Sequence, residues 1–387
     1  MRVAFDVTVS GRAVTGVGVY ARHLYEALLA RHVDVRAWQY PLGHMGPGVP
    51  RLASGVRLAL WESFVVARRA RRDDISVVHA TTSVGPLGVR CPVVLTIHDA
   101  TTVTMPLRTH PADRLFQRIF SVAVARRAAA ILAPTQVAAE AIAEHYQVPR
   151  ARVRVIPLGV ADTFRQVTSA DVLAVRRMYG MERPYVLVVG ADTPRKNLQT
   201  LVRAMARVEA WHRDVELVLA GPWNPHATRL DAVGRAAGLR RPVHRLGEVA
   251  ERYLPGLYAG AACVAYVSLC EGFGLPVAEA MAAGTPVVTS NCSAMPEVAG
   301  GAAMLVDPTS DEAVADGIGK VLGDAELAAQ LRAAGRVRST AFDWRRTAQL
   351  TEQVYLEVCD GRGRHTGRAL PTAPSTAPAQ SPADFTP

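Results

Sequence analysis

Short runs that are apolar at every position alternate along the chain with longer stretches in which apolar residues recur every three or four positions. Continuous β-branched runs suit strands buried on both faces, and the three-to-four spacing is that of amphipathic helices. The alternation therefore predicts βα units around parallel sheets, an α/β fold. In the first half the predicted strands are Arg2 to Val7, Ser76 to His79, Val93 to Ile97 and Ala130 to Ala133, with helices at Val19 to Ala30, Val56 to Arg71 and Ala112 to Arg127. In the second half the strands are Tyr185 to Val189, Val215 to Ala220, Cys263 to Val267 and Pro286 to Thr289. Helices are predicted there at Leu198 to Val208, Pro276 to Ala283, Asp311 to Leu322 and Ala325 to Ala334.

Between the halves, Val153 to Ile156 followed by Pro157, Leu158 and Gly159 reads as a closing strand and turn. The expected division is a first domain over 1–165, a second over 166–342 and a last amphipathic helix within 343–359. The Pro-, Ala-, Ser- and Thr-rich segment 360–387 has almost no large apolar side chains to offset the entropy of ordering, and is expected to be disordered.

Composition narrows the class. The chain has 387 residues, 49% hydrophobic and 20% charged, which at roughly 150 residues per domain fits two cores and excludes both a single small module and global disorder. No run reaches the roughly 18 apolar residues of a bilayer span, and MRVAFDVTVSGR lacks the apolar run of a signal peptide, so a cytoplasmic location is expected. Cys91, Cys263, Cys270, Cys292 and Cys359 show neither C-x-x-C nor zinc-like spacing and read as reduced thiols. The net charge is +10, and only Lys196 and Lys320 among the 44 basic residues are lysines. Such a balance favours an acidic partner, whether phosphorylated substrate, anionic membrane or nucleic acid.

The densest local signal is Glu271-Gly272-Phe273-Gly274-Leu275-Pro276-Val277-Ala278-Glu279, directly after the run Cys263 to Val267. That places Glu271 at the carboxyl end of a parallel strand, where open α/β sheets bind ligands. Gly272 and Gly274 allow close backbone approach, and Pro276 suits a first helical turn, which would put Glu279 beside free backbone N–H groups. Two acceptor carboxylates and an anion-binding helix start fit a hydroxyl-rich diphosphate such as a nucleotide sugar. The other reading is a strand-end turn at Glu271 and a helix-dipole partner at Glu279.

Gly190-Ala191-Asp192-Thr193-Pro194-Arg195-Lys196-Asn197 follows the strand Tyr185 to Val189. Asn197 is a plausible N-cap, and two cations at a strand-to-helix turn form a phosphate clamp or, otherwise, a solvated basic turn. A lysine in so arginine-rich a chain points to a compact ammonium in point contact with phosphate oxygens. Near the N-terminus, Gly16 and Gly18 precede a helix and permit approach to phosphate, but position 21 is alanine and the dinucleotide fingerprint G-x-G-x-x-G fails. His98-Asp99 ends the strand Val93 to Ile97, where Asp99 could fix the imidazole tautomer and make His98 a donor to hydroxyl or phosphate; a structural strand-end histidine is the alternative. There is no D-x-D, no H-E-x-x-H and no clustered ligand set, so metal-free chemistry is expected.

With TGVGVY, VVLTIHD, VRVIPLGV, YVLVVGADTPRKN, LVLAGP, HRLGEV, EGFGLPVAEAMAAGTPVV and PEVAGGAAMLVDP in this order, the sequence resembles the retaining glycosyltransferases of family 4 from residue 1 to about 358. The resemblance implies the GT-B architecture: two Rossmann-like domains across a cleft, acceptor on the first, nucleotide-sugar donor on the second, and a last helix crossing back. It implies that Glu271 contacts the transferred sugar and Glu279 the ribose. Lys196 with Arg195 would hold the diphosphate, Gly16 and Gly18 would approach it, His98 would lie beside the reacting centre, and the loop around Leu246 would hold the base. Gly272, Phe273, Gly274 and Leu275 would line the donor site. No cofactor, metal or nucleic acid is implied; the partners are a nucleotide sugar and a saccharide or lipid-linked acceptor. Departures are Ala191 where many members carry arginine, Ala133-Pro134-Thr135-Gln136 in place of a serine-containing turn, and Val267-Ser268-Leu269-Cys270 where Pro-Ser is frequent.

A non-catalytic nucleotide-sugar-binding protein and glycosidase or phosphorylase chemistry are the rivals, and an NAD-dependent oxidoreductase is disfavoured by the failed glycine fingerprint. GDP-mannose is the first expectation for the donor, with UDP-sugars as the alternative. In the predicted helix from Val56, apolar residues including Trp61 and Phe64 precede Arg68, Arg69, Arg71 and Arg72. This reads either as a core helix with a basic end or as a peripheral contact with an anionic inner membrane face.

Overall fold

The computed structural model describes residues 1–8, 15–39, 65–101, 111–222 and 228–361. In chain order its strands are β1 Arg2–Asp6, β2 Asp34–Trp38, β3 Val77–Ala80, β4 Val93–Thr96, β5 Ala130–Ala133, β6 Val153–Val155, β7 Tyr185–Val189, β8 Glu216–Ala220, β9 His244–Gly247, β10 Cys263–Tyr266, β11 Val287–Ser290 and β12 Met304–Val306. They build two six-stranded sheets, ordered β2-β1-β3-β4-β5-β6 and β12-β11-β10-β7-β8-β9. All the pairings are parallel. β3, β4, β5, β10 and β11 are buried at every position, as parallel strands with helices on both faces must be.

The second sheet winds outward in both directions from β7, so its order reverses between β7 and β10. The carboxyl ends of strands at such a reversal are where open α/β sheets take ligands. Here they lead into the Gly190–Asn197 loop and into Glu271, which the sequence separates by some 75 positions. In the first sheet the reversal lies between β1 and β3.

Helix starts follow their caps. Thr15 accepts from the Gly18 amide, so the first helix runs Gly16–Ala30, three residues earlier than periodicity alone indicates. Thr135 caps Gln136–His145, a helix that the alanine-rich sequence does not announce. Asn197 departs from its expected role: it adopts a left-handed backbone (φ 57°) and its side chain caps nothing. Its amide instead donates to Val267 O at 3.2 Å and Pro308 O at 2.6 Å. The cation loop is thus tied to the strand that leads to Glu271.

The last helix, Trp344–Cys359, follows the second sheet in sequence and packs on Gly16–Ala30 of the first half. Thr347 donates to Pro157 O at 2.8 Å, and Arg31 pairs with Glu352 at 2.6 Å. Val354 and Tyr355 are completely buried, each worth roughly 1.5–3 kcal/mol of transfer free energy. One apolar cluster joins Tyr20, Leu24 and Leu28 of the first helix to Phe273, Leu275 and Trp344. Of the predicted helix Val56 to Arg71, the structure describes Ala67–Arg72 as helical, and positions 56–64 lie outside the described residues, as does 362–387 of the expected tail.

Candidate functional site

Glu271 sits just past β10 and is 8% exposed. Its Oε1 accepts from Lys196 Nζ at 2.8 Å and from Ser268 Oγ at 2.6 Å, and its Oε2 accepts from Arg195 Nη1 at 2.6 Å. Burial would raise this carboxyl, but the neighbouring Lys196 and Arg195 outweigh it and hold it below the ordinary range. Lys196 is buried enough for desolvation to lower its ammonium despite Glu271. Its Nζ meets the Tyr266 hydroxyl and lies 4.4 Å from the centre of that ring. Two cations meet one carboxylate directly, and Asp99 adds a second negative charge within electrostatic reach of both, in a setting where charge–charge interactions are strong. Ser293 grips the same peptide, its Oγ accepting from Glu271 N at 3.0 Å and donating to Glu271 O at 2.8 Å.

Glu279 lies further along its helix than the sequence indicates. The helix runs Leu275–Ala282, opening one residue before Pro276 with no acidic residue in its first turn. Glu279 therefore falls in the second turn, away from the free amides, and accepts from Tyr258 Oη at 2.8 Å. Burial raises its carboxyl to about 7, with Glu251 adding to the rise and the Tyr258 hydrogen bond opposing it.

The two glycines of the segment are occupied by the protein itself. A Cβ on Gly272 would stand 1.6 Å from His98 O, so its bare Cα is where the two halves touch. Gly274 has φ 90°, and a Cβ there would meet Met295 at 2.5 Å. Phe273 is buried edge-on against Phe342, with ring centres 5.3 Å apart, and Leu275 faces Gly16 across the cleft. Gly18 is buried, its amide spent on Thr15.

His98 lies beside Glu271 through the Gly272 contact. Its Nε2 stands 3.3 Å from Thr81 O, a pure acceptor, so that nitrogen carries the proton. Asp99 makes its described hydrogen bonds to the amide and hydroxyl of Thr101 through Oδ1, and none to the His98 ring. Burial depresses the imidazole to about 4, against the opposing pull of Asp99, and leaves it neutral at pH 7. Tyr20 packs edge-on against it at 4.7 Å. Leu246 is half-buried on β9, away from the charged cluster, next to Arg245 and Gly247, which line a small cavity with Asp192 and Gly221.

The fold thus gathers Glu271, Lys196, Arg195, His98 and Gly272 into one place, with Glu279, Leu275 and Gly16 along the same seam. Tyr266, Tyr258 and Ser293 belong to this site and carry no sequence signal. Tyr266 reads as one more apolar strand position, and Ser293 lies in an unremarkable turn. Among the described residues no helix is long and apolar enough to cross a membrane.

Residues 179–338 match the family described as glycosyl transferases group 1, and residues 14–164 match glycosyltransferase family 4. The O-antigen chain mannosyltransferase B of Escherichia coli is 31% identical over 268 residues, 68% of this chain and 69% of that protein. The MMP alpha-(1->4)-mannosyltransferase of Mycolicibacterium hassiacum is 29% identical over 303 residues, 74% of this chain and 71% of that protein. Among solved structures, sucrose-phosphate synthase from Thermosynechococcus elongatus superposes with a TM-score of 0.76 at 23% identity, covering 93% of this chain and 100% of that one. WaaG, a glycosyltransferase involved in lipopolysaccharide biosynthesis, does so with a TM-score of 0.71 at 17% identity, covering 91% and 99%. At such identities the superpositions speak for the fold, and the sequence matches speak for the family. With both halves matched in order and the two parallel sheets built as described, this chain belongs to the group 1, family 4 glycosyltransferases and has their GT-B architecture.

Proposed function

We propose that the protein is a retaining hexosyltransferase that moves a mannosyl group from a nucleoside-diphosphate sugar to a hydroxyl of a saccharide or lipid-linked glycan, without a metal. The observation that carries this reading is the Glu271–Lys196–Arg195 cluster at the β7/β10 reversal, where two cations share one carboxylate. A diphosphate entering there takes over the two cations as Glu271 turns to the sugar hydroxyls, so one rearrangement prepares both ends of the donor. As the C1–O bond breaks, the leaving diphosphate keeps the bonding pair, and Lys196 and Arg195 stabilise the charge that develops. The acceptor oxygen bonds C1 on the same face and its proton passes to a leaving phosphate oxygen. His98, neutral with its proton on Nε2, contributes a fixed dipole beside this centre. The mannosyl assignment is supported by the two mannosyltransferase relatives.

Thermal shift with GDP, UDP and ADP at equal concentration identifies the base, since a ligand at 100 times its Kd adds about 2.7 kcal/mol. Calorimetry with the preferred diphosphate then separates the roles. Lys196→Ala is expected to weaken binding at least about tenfold, whereas Glu271→Ala retains binding and loses transfer by about a hundredfold. Unaltered affinity in both variants overturns the assignment, and activity that EDTA abolishes and Mg²⁺ restores overturns metal independence.

The described end of the basic helix, Ala67–Arg72, exposes Arg68, Arg69, Arg71 and Arg72. This favours a cytoplasmic enzyme that touches an anionic inner membrane face, at about 1 kcal/mol per basic residue. Co-sedimentation that rises with anionic lipid and falls with salt supports it; equal recovery with neutral and anionic vesicles defeats it.

A further inference from the structure

The Glu271–Gly272 segment belongs to the second half of the chain, yet its carbonyl is held by the first. Thr135 is 1% exposed and its single hydroxyl has two partners. It accepts from Ala138 N at 3.1 Å, as the cap of Gln136–His145, and donates across the cleft to Gly272 O at 2.8 Å. The next two amides of that helix are satisfied from the second half as well. Gln136 N donates to Glu297 Oε1 at 2.9 Å and Val137 N to Glu297 Oε2 at 3.2 Å. Three of the four amides that a helix start leaves without an internal partner are thereby closed by one hydroxyl and one carboxylate. Glu297 is steadied in turn, since Arg338 donates to Glu297 O at 2.7 Å and to Val298 O at 3.0 Å while stacking on Phe342.

The consequence for the site is geometric. Gly272 has its Cα against His98 O and its carbonyl on Thr135 Oγ1, while the preceding peptide is gripped by Ser293. The Glu271 carboxylate therefore hangs from a backbone clamped on one side by its own domain and on the other by the first half. We infer that Thr135 and Glu297 are positioning residues for Glu271: they lock the Gln136–His145 helix start onto the second half and fix the peptide that carries the carboxylate. Neither side chain touches the reacting atoms. This inference rests on the role given to Glu271 above, and its test does not depend on that role.

Hydrogen–deuterium exchange of the full chain reads the clamp directly. Thr135→Val removes the hydroxyl and keeps the shape, and is expected to speed exchange about fivefold in peptides spanning 269–275, on the far side of the cleft, by loss of one buried hydrogen bond. Thr135→Ser should restore protection. Glu297→Ala should speed exchange of the first amides of Gln136–His145 by a similar factor, and calorimetry with inorganic pyrophosphate should show unchanged affinity in all three variants. A purely local cap predicts faster exchange within 136–145 alone, with 269–275 unaffected by Thr135→Val, and that result overturns the inference, as does a Glu297→Ala variant whose 136–139 amides exchange at the parental rate. Where GDP-mannose is turned over, Thr135→Val should lower kcat about fivefold and leave KM in place. Absence of turnover in the parent protein bears on the proposed activity and leaves the exchange result to decide the clamp.

Discussion

Two buried polar networks, one in each half, are built on opposite electrostatic plans. In the first half Tyr355 Oη stands 2.5 Å from His79 Nδ1, His79 Nε2 stands 2.7 Å from Thr96 Oγ1, and Thr96 meets Tyr20 Oη at 2.8 Å. Burial depresses His79 to about 3, helped by His98, so this network is neutral. Three hydrogen bonds join its four side chains inside the protein. The second network, around Glu271, is ionic and holds two cations on one carboxylate. A closed neutral network locks elements together, here the last helix onto the first sheet. An ionic one in which two cations share a single carboxylate is stable enough to fold and leaves those cations donors that an anion could compete for. The difference sets a neutral network apart from an ionic one although both are buried and both join distant segments.

The largest test attacks the point where the halves meet. Gly272→Ala places a methyl on His98 O, a backbone atom rather than the end of a flexible side chain. It is expected to cost about 3 kcal/mol or more and to abolish transfer; denaturant titration and a transfer assay read both. Near-parental stability would mean that the two networks do not abut in solution.

Next in size, Tyr355→Phe leaves His79 Nδ1 without its partner in the core and should cost about 1–3 kcal/mol. Pyrophosphate affinity, measured by calorimetry, should not move. A loss of affinity would join the two networks and end the distinction between them.

The smallest effects are pH dependences of opposite sign. His98 is held at about 4 in the folded protein against an ordinary 6.5, so below pH 6.5 the unfolded chain binds more protons and stability falls as pH drops towards 4. The stability advantage over His98→Gln should narrow across that window. Glu279 is raised to about 7 from 4.5. Between those values the folded protein holds the extra proton, and stability declines as pH rises through 7. Glu279→Gln should therefore gain on the parent protein between pH 4.5 and 8, followed by urea midpoints; a constant difference would show that Glu279 is solvated.

Much of the fold was legible because central parallel strands must be apolar on both faces. Ala130–Ala133 and Tyr185–Val189 were located to the residue, and the other inner strands to within one. The strands that pattern reading missed, Asp34–Trp38, His244–Gly247 and Met304–Val306, are edge strands. An edge is covered less fully and tolerates Asp34, Arg36 or Arg245 without losing its ladder, so the apolar run that signals a strand is absent. The first helix starts three residues earlier than its periodicity indicates because Thr15 caps it, and the Gln136–His145 helix capped by Thr135 was missed altogether.

Glu271 and Arg195 could be singled out locally because each follows a strand and stands beside glycine or proline, and Lys196 because it is a lysine in an arginine-rich chain. Their mutual pairing could not be read, nor the displacement of Glu279 from the helix start, nor the reach of Thr135 to Gly272, since these depend on where chain segments far apart in sequence finally pack. Residue types and local periodicity determined which segments become strands and helices and which residues can carry charge. Only the tertiary structure decided which charges share a carboxylate and which half of the molecule holds the backbone of the Glu271 segment, because hydrogen bonds and ion pairs act over about 3 Å and have no counterpart in sequence distance.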